Sequence, residues 1–227
     1  MRPSDFQSYR SQFRAILRQV LAEVEPGRLD EAAFPAYSHP NPMINALFWE
    51  RLRKVVQYLE ADAPYESVLD FGCGSGVLLP LLSGLSTQVI AADIDLLPLD
   101  RVRRHYPLPP NVQVYDLKQV PLHALPAAPF DRIIATDVLE HVEDLASVMA
   151  DLLGLLKPGG QIVISGPTEN LFYRLGRRLA GREYSGHYHQ RSIIAIREWL
   201  SQQMPIIPIA RLYRPITLFE IFAIRKE

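Results

Sequence analysis

Three alternating glycines after a short hydrophobic stretch limit the fold of this chain more than any other feature. Residues 67–71 have the apolar character of a buried strand that ends near Asp70, and residues 77–82 begin an apolar helix. The glycines of the turn between them are Gly72, Gly74 and Gly76. Glycine tolerates positive φ and has no Cβ, so the main-chain N–H groups of such a turn are open to a ligand. The pattern predicts a ligand-binding turn in an α/β protein.

The spacing of the glycines separates this turn from the dinucleotide-binding motif. That motif needs its third glycine at position 77, where this chain has Val77, whereas the third glycine here is Gly76. The next predicted strand, 88–92, ends at Asp93, about 20 residues beyond the turn, where an acid accepts hydrogen bonds from a ribose diol. The spacing therefore disfavours NAD but retains a ribose-containing ligand.

Acidic residues follow four predicted strands, and helices alternate with strands from about 67 to 165. The acids are Asp70, Asp93, Asp116 and Asp137. The glycine turn together with these segments resembles the class I S-adenosylmethionine (SAM)-dependent methyltransferases, over residues 64–166 and most closely their small-molecule type, similar to the ubiquinone-pathway O-methyltransferases. The resemblance implies a Rossmann-like, doubly wound α/β fold with seven mostly parallel strands and an antiparallel last strand. It also implies SAM as methyl donor and S-adenosylhomocysteine as product.

The resemblance assigns cofactor contacts to residues of this chain. Asp93 is expected to bind the ribose, and Asp116 is expected to lie near the adenine amino group. The full set of implied cofactor-binding residues is Asp70, Gly72, Cys73, Gly74, Gly76, Asp93, Ile94, Asp116, Leu117 and Asp137. Cys73 is the single cysteine, so the chain has neither a disulfide framework nor a cysteine-based metal site.

Glu140-His141 follows the fourth predicted strand and permits three interpretations. As catalytic residues, which is the prediction adopted here, the pair takes a proton from an acceptor hydroxyl as the methyl group moves. As structural residues, Asp137 is the N-cap of the next helix and Glu140 completes a capping box. As metal ligands they resemble the Glu-x-x-Glu-His signature of the ubiquinone-pathway and small-RNA 2′-O-methyltransferases, with Asp137 as the first acid. That third interpretation requires a further ligand, His187 or His189, and the prediction assigns no metal.

Segment 167–191 breaks the alternation of strands and helices, and we expect it to form a lid over the site. Its cluster His187-Tyr188-His189 is predicted to bind the acceptor. Residues 171–182 combine an apolar face with four arginines, a pattern that can cover a lipid-like acceptor or lie on an anionic membrane. The predicted partner is a small-molecule acceptor, with an apolar or lipid-like acceptor and peripheral membrane contact through 171–182 as open alternatives.

The charge of the chain argues against broad nucleic-acid binding. Its 24 basic and 25 acidic residues give a net charge of -1. After the fourth strand it has Thr136-Asp137-Val138-Leu139 instead of the Asn/Asp-Pro-Pro-aromatic motif of DNA amino-methyltransferases, so DNA is not an expected partner. The alternatives to small-molecule O-methylation are a metal-assisted RNA ribose 2′-O-methyltransferase and a SAM-binding partner protein without turnover.

The remaining predictions concern location and organisation. The N-terminus lacks an apolar signal core, and polar residues interrupt the apolar stretches, so we expect a soluble, cytoplasmic protein. We expect one methyltransferase domain over 1–227. Its predicted parts are two N-terminal helices in 1–62, the SAM-binding core in 64–166, the lid in 167–191, and a last helix with two strands in 192–227.

Overall fold

One seven-stranded sheet organises the chain, and helices pack on both of its faces. The computed structural model describes residues 3–24, 37–126, 129–168, 191–213 and 215–227. The strands are β1 Tyr65–Phe71, β2 Ser86–Asp93, β3 Val112–Asp116, β4 Phe130–Thr136, β5 Leu156–Pro167, β6 Ile206–Leu212 and β7 Phe219–Arg225. The α-helices in these ranges are α1 Pro3–Glu23, α2 Pro42–Glu60, α3 Leu79–Ser83, α4 Leu97–Val102, α5 Leu145–Gly154 and α6 Ile193–Ser201.

The strand order is β3-β2-β1-β4-β5-β7-β6, and the first five strands of this order pair in parallel. Strand β7 runs antiparallel to both of its neighbours. The predicted doubly wound sheet with an antiparallel last strand is therefore confirmed. After β1 the chain forms β2 and β3 on one side of β1, and it then forms β4 on the other side. The connections that leave the carboxyl ends of β1 and β4 therefore run in opposite directions, and a crevice opens between them.

The central strands are almost entirely apolar because helices cover both faces of the sheet. In β1, for example, Val68 faces one core and Leu69 the other, and both side chains are fully buried. Helices α1 and α2 cover the first face, and α5 and α6 cover the second. Hydrophobic burial on both sides thus fixes the sheet and the position of its carboxyl edge.

Helices α1 and α2 confirm the two predicted N-terminal helices and reach the glycine turn. Asn41 caps α2 by accepting a hydrogen bond from the Met43 N–H at 2.9 Å, and Pro42 begins the helix. Trp49 of α2 packs edge-on against aromatic rings of α1 at centroid distances of 6.0 to 6.4 Å. The Tyr9 hydroxyl of α1 donates a hydrogen bond to the Val77 carbonyl, directly after the third glycine. Helix α1 therefore contacts the predicted ligand-binding turn.

The structure adds detail that the apolar pattern did not contain. The helix predicted at 77–82 is the short α3, because residues up to Leu78 still belong to the turn. Within the described residues, no helix has both the length and the apolar character needed to cross a membrane. Most of segment 167–191, including the arginine-rich stretch 171–182, lies outside the described residues.

Candidate functional site

The three glycines of the turn all have positive φ: 74° at Gly72, 51° at Gly74 and 75° at Gly76. A Cβ placed on Gly72 would lie 2.5 Å from Cγ2 of Val138, and one on Gly76 would lie 2.5 Å from Cδ1 of Leu99. Both distances are shorter than van der Waals contact, and the backbone conformation itself favours glycine. Packing against Val138 and Leu99 and the positive φ values therefore both require glycine at positions 72 and 76, and the turn of three glycines is called the glycine cradle below.

Asp93 ties the glycine turn to the end of β2. One carboxylate oxygen accepts the Gly74 N–H at 2.8 Å, and the other accepts the Asp95 N–H at 3.0 Å. Burial raises the pKa of Asp93, while these main-chain hydrogen bonds act in the opposite direction. Each carboxylate oxygen offers two lone pairs, so both can still accept a ribose hydroxyl. The geometry fits the predicted ribose contact and gives Asp93 a second role in shaping the turn.

Asp70 lies at the end of β1, and its side chain is only 2% exposed. Burial, and then the neighbouring charge of Asp93, raise the pKa of Asp70 to about 7. Its Oδ1 atom is buried and has no hydrogen-bond partner among the described residues. An unsatisfied buried carboxyl oxygen beside an open turn favours a ligand that carries a positive charge or a hydrogen-bond donor.

Asp116 lies beside Asp93, because the two residues are register partners in the parallel pair β2–β3. Its carboxylate accepts the Lys118 N–H at 2.8 Å and the Gln119 side-chain amide at 2.9 Å. The Leu117 N–H in turn donates to the Asp93 carbonyl at 2.9 Å. The structure thus places the predicted adenine-side residue next to the predicted ribose-side residue.

Ile94 and Cys73 frame the same part of the edge in different ways. Ile94 directly follows Asp93, and 63% of this apolar residue is exposed, so it offers an apolar surface that a base ring could cover. Cys73 is buried, and burial above all raises the pKa of its thiol well above the usual value. Its carbonyl accepts the Gly76 N–H at 2.8 Å. Cys73 therefore shapes the turn through its main chain and is not a reactive thiolate.

Asp137 lies at the end of β4, on the opposite side of the crevice from the β2 acids, with a left-handed φ of 53°. The Arg51 guanidinium of α2 forms an ion pair with its Oδ2 atom, and Arg51 also donates to the Tyr37 hydroxyl at 2.6 Å. Burial raises the pKa of Tyr37 to about 12, so this residue remains a neutral hydroxyl. The structure therefore pairs Asp137 with a buried arginine 86 residues earlier in the chain, and that arginine is itself held by the Tyr37 hydroxyl.

Arg51 was missed by the sequence predictions although the chain contains a signal for it. The buried side of α2 repeats apolar residues at helical spacing through Leu52, Val55 and Leu59. Arg51 falls on the same buried side with no exposed surface at all. A charged residue at a position that helical periodicity assigns to the core requires a buried partner. The sequence could have indicated that such a partner exists, but not that it is Asp137.

Glu140 and His141 lie in a 3-10 turn, Leu139–His141, directly after β4. Glu140 is buried, and its Oε2 lies 3.5 Å from where a Cβ of Gly166 would be, while His141 is exposed. The capping interpretation is wrong, because the N-cap of α5 is Asp144, which accepts the Ser147 N–H at 3.0 Å. The insertion of the 3-10 turn moves the start of the helix beyond the predicted cap.

The other predicted site residues are only partly covered by the structure. His187, Tyr188 and His189 lie outside the described residues, and so does any metal site that needs one of these histidines. In the part of the chain that is described, no three His, Cys, Asp or Glu side chains come together as a metal site would require. Among the predicted site residues, Asp93 instead accepts a main-chain N–H of the glycine turn, and Asp137 pairs with Arg51.

The sequence of this chain is similar to a known protein family and to curated proteins. A family model described as a methyltransferase domain matches residues 44–203. A curated relative, the ubiquinone biosynthesis O-methyltransferase of Xanthomonas axonopodis pv. citri, is 39% identical over 129 residues, which cover 56% of this chain and 52% of that protein. The chain spans about half the length of the curated relatives it matches.

Solved structures share the fold at lower sequence identity. The N-methyltransferase NodS from Bradyrhizobium japonicum, in complex with S-adenosylhomocysteine, has a TM-score of 0.59 at 16% identity and covers 94% of this chain and 98% of its own. The magnesium protoporphyrin IX methyltransferase from Synechocystis, also with S-adenosylhomocysteine bound, has a TM-score of 0.61 at 19% identity, with 87% and 94% covered. These neighbours support the fold of the sheet and of its carboxyl edge.

Proposed function

The chain belongs to the methyltransferase domain family, and from this premise we propose that it is a SAM-dependent methyltransferase that acts on oxygen of a small-molecule acceptor. The observation that carries the proposal is the glycine cradle closed by Asp93. Gly72, Gly74 and Gly76 give the turn three positive φ values without any Cβ, and the Asp93 carboxylate is fixed beside it with lone pairs to spare.

The residues of the crevice match the chemistry of this cofactor. When bound, SAM supplies a methyl group that is already activated by a sulfonium. Asp93 would hold the ribose, with Asp116, Ile94 and Leu117 on the adenine side. Asp70 and Asp137 lie toward β1 and β4, and the Oδ1 atom of each is buried without a partner among the described residues, which favours the positively charged end of the cofactor. Because the donor is activated, binding and orientation of the two reactants supply most of the acceleration.

We assign the proton-accepting role to His141, with Glu140 beside it in the same turn. An acceptor hydroxyl loses its proton as the methyl group transfers, and a histidine can accept this proton at neutral pH. The exposed side chain of His141 at the carboxyl edge of the sheet makes it the accessible member of the pair. Glu140 is buried and is better suited to hold the turn or its neighbour in place.

The proposed acceptor is a small, apolar or lipid-like hydroxyl compound. The support is the similarity to ubiquinone biosynthesis O-methyltransferases, together with the balanced charge of the chain, which is ill-suited to a polyanionic substrate. We include in the proposal that His187, Tyr188 and His189 bind the acceptor and that 171–182 covers it or contacts a membrane surface. These roles rest on the sequence pattern alone.

Binding of the cofactor is tested first, by thermal unfolding with SAM, S-adenosylhomocysteine or NAD. A ligand at one hundred times its dissociation constant stabilises the native state by about 2.7 kcal/mol, so SAM and its product should both raise the melting temperature. NAD should leave it unchanged. A shift with NAD and none with SAM would refute the proposal.

Transfer is tested by incubating the protein with methyl-labelled SAM and an extract of its source organism. Label should enter a solvent-extractable molecule, and not RNA or protein. The matched control is the Asp93→Ala variant, which should transfer far less label under the same conditions. Label in RNA would replace the small-molecule proposal with ribose methylation, and bound SAM without transfer to any fraction would indicate a non-catalytic binding protein.

A further inference from the structure

We propose that Arg51 is a positioning residue of the cofactor crevice, which holds Asp137 in its left-handed conformation and thereby sets Val138 against Gly72. The consequence for the cofactor rests on the proposed function. The effect of Arg51 on the backbone of Asp137 concerns the ligand-free protein and does not depend on the proposed function. Neither the family match nor the relatives' names assign a role to this arginine.

The contacts of Arg51 are suited to holding a fixed geometry. Its side chain has no exposed surface, and its guanidinium lies 5.4 Å from the ring centroid of Phe48 and 5.0 Å from that of Phe219. One terminal nitrogen pairs with Asp137, and the other donates to the hydroxyl of Tyr37. A planar guanidinium with two fixed donors restricts the carboxylate more than a single flexible ammonium would.

Asp137 needs such restraint because it is a non-glycine residue in left-handed conformation. For residues with a Cβ this conformation is disfavoured, although aspartate tolerates it better than most. The Asp137 N–H also donates to the Ser165 carbonyl at 2.9 Å, so main-chain and side-chain contacts fix the residue together. Without the ion pair, the Oδ2 atom of Asp137 would lose its partner. The left-handed backbone of Asp137 would then lose its main support.

The position of Asp137 matters to the crevice through the residue that follows it. The Val138 side chain occupies the space where Gly72 would otherwise carry a Cβ, at 2.5 Å from that point. Gly72 is the first glycine of the turn, and its N–H donates to the Ala92 carbonyl at 2.8 Å. A rotation of Asp137 out of the left-handed region moves Val138 and removes the wall on which the glycine turn rests.

The experiment separates the backbone conformation from the buried charge. Arg51→Met should raise amide hydrogen exchange in segments 70–76 and 136–142 of the ligand-free protein and weaken S-adenosylhomocysteine roughly tenfold. Arg51→Met with Asp137→Gly removes the unpaired carboxylate and adopts positive φ freely, so amide exchange in both segments should return to within about threefold of wild type. Arg51→Met with Asp137→Ala removes the same carboxylate but still disfavours positive φ, so amide exchange in both segments should remain raised.

Arg53→Met is the matched control, because Arg53 lies on the same helix and pairs with Glu50, where both side chains are about one third exposed. It should change neither measurement. Equal behaviour of the two double variants, or wild-type exchange in Arg51→Met, would overturn the proposal. If the wild-type protein binds no S-adenosylhomocysteine, the proposed function fails, while the exchange comparison still decides the role of Arg51.

Discussion

The two sides of the crevice are built in different ways. On the β1–β2 side, the glycine turn and Asp93 lie within about twenty residues of each other, and their hydrogen bonds are between main chain and one carboxylate. On the β4 side, Asp137 depends on Arg51 and Tyr37, which come from the region before the sheet. The first side is formed by residues close together in the sequence, and the second is assembled from distant parts of the chain. Changes on the first side should therefore act directly on cofactor binding, and changes on the second should act on turnover, or on cofactor binding through the conformation of the turn.

The sharpest test of this division is His141→Ala on the β4 side. If His141 accepts the proton, turnover should fall by roughly a hundred- to ten-thousandfold, while SAM affinity stays nearly unchanged. His123→Ala is the control, because His123 also lies in a three-residue 3-10 turn and is exposed. Kinetics with the true acceptor and calorimetric titration of SAM provide the two measurements. Normal turnover in His141→Ala would leave positioning as the only role of this side.

Gly72→Ala tests whether the glycine turn on the β1–β2 side tolerates any side chain. The new Cβ would overlap Val138 and require positive φ, so SAM affinity should fall by roughly a hundredfold and stability by about 2 to 4 kcal/mol. Gly154→Ala is the control, since a Cβ there meets nothing within 4 Å at the end of α5. Denaturant unfolding and SAM titration measure the two effects. A Gly72→Ala protein as stable as wild type would contradict the close contact between the two sides.

Asp93→Ala should weaken SAM about tenfold or more, because hydrogen bonds to a charged group contribute about 1.5 to 3 kcal/mol. It also removes the acceptors of the Gly74 and Asp95 N–H groups, so a loss of stability should accompany the loss of affinity. Asp116→Ala is the comparison within the same edge, and its effect on affinity should be smaller because Asp116 is expected to meet only the adenine amino group, whereas Asp93 is expected to accept both ribose hydroxyls and also holds the glycine turn. Equal effects of the two substitutions would mean that the ribose contact has been placed on the wrong acid.

SAM affinity should increase as the pH rises through about 7, by up to roughly tenfold. The pKa of Asp70 is about 7 in the free protein, so below this pH a bound cation must displace its proton. By the same linkage, the contribution of Asp70 to the free energy of unfolding is full at low pH and is lost as the pH rises through about 7. The facing titratable groups are Asp93, the thiol of Cys73 and the hydroxyls of Tyr9 and Tyr37. Titration at pH 6 and 8 should show the change in wild type and a much flatter response in Asp70→Asn.

The smallest expected effect is that of Asp144→Ala, which removes the observed cap of α5. Stability should fall by about 1 kcal/mol, with turnover unchanged once the protein is folded. Asp137→Ala at the formerly predicted cap should instead affect the crevice, because its carboxylate is paired with Arg51. Thermal unfolding and turnover of the two variants distinguish a helix cap from a site residue.

The sheet and its cofactor edge could be predicted from the sequence because their signals are local. Buried parallel strands are continuous apolar runs, and the glycine turn and Asp93 are separated by a characteristic number of residues. The role of Asp137 could not be predicted in this way, since it depends on a partner 86 residues away. The cap of α5 was misplaced because a 3-10 turn and a capping box have similar local sequences, and only the path of the chain after β4 distinguishes them.

The hydrogen bond from Tyr9 to Val77 means that the part of the chain recognised by the family model is smaller than the part that must fold together. The match begins at residue 44, yet Phe13, Leu17 and Val20 of α1 are buried in the same core as β1 and α2. A fragment cut at the family boundary would keep every glycine of the turn but expose the apolar surface that α1 covers. The boundary of the family match therefore differs from the boundary of the cooperatively folding unit. An expression fragment or chimera of this protein should be cut at the boundary of the folding unit.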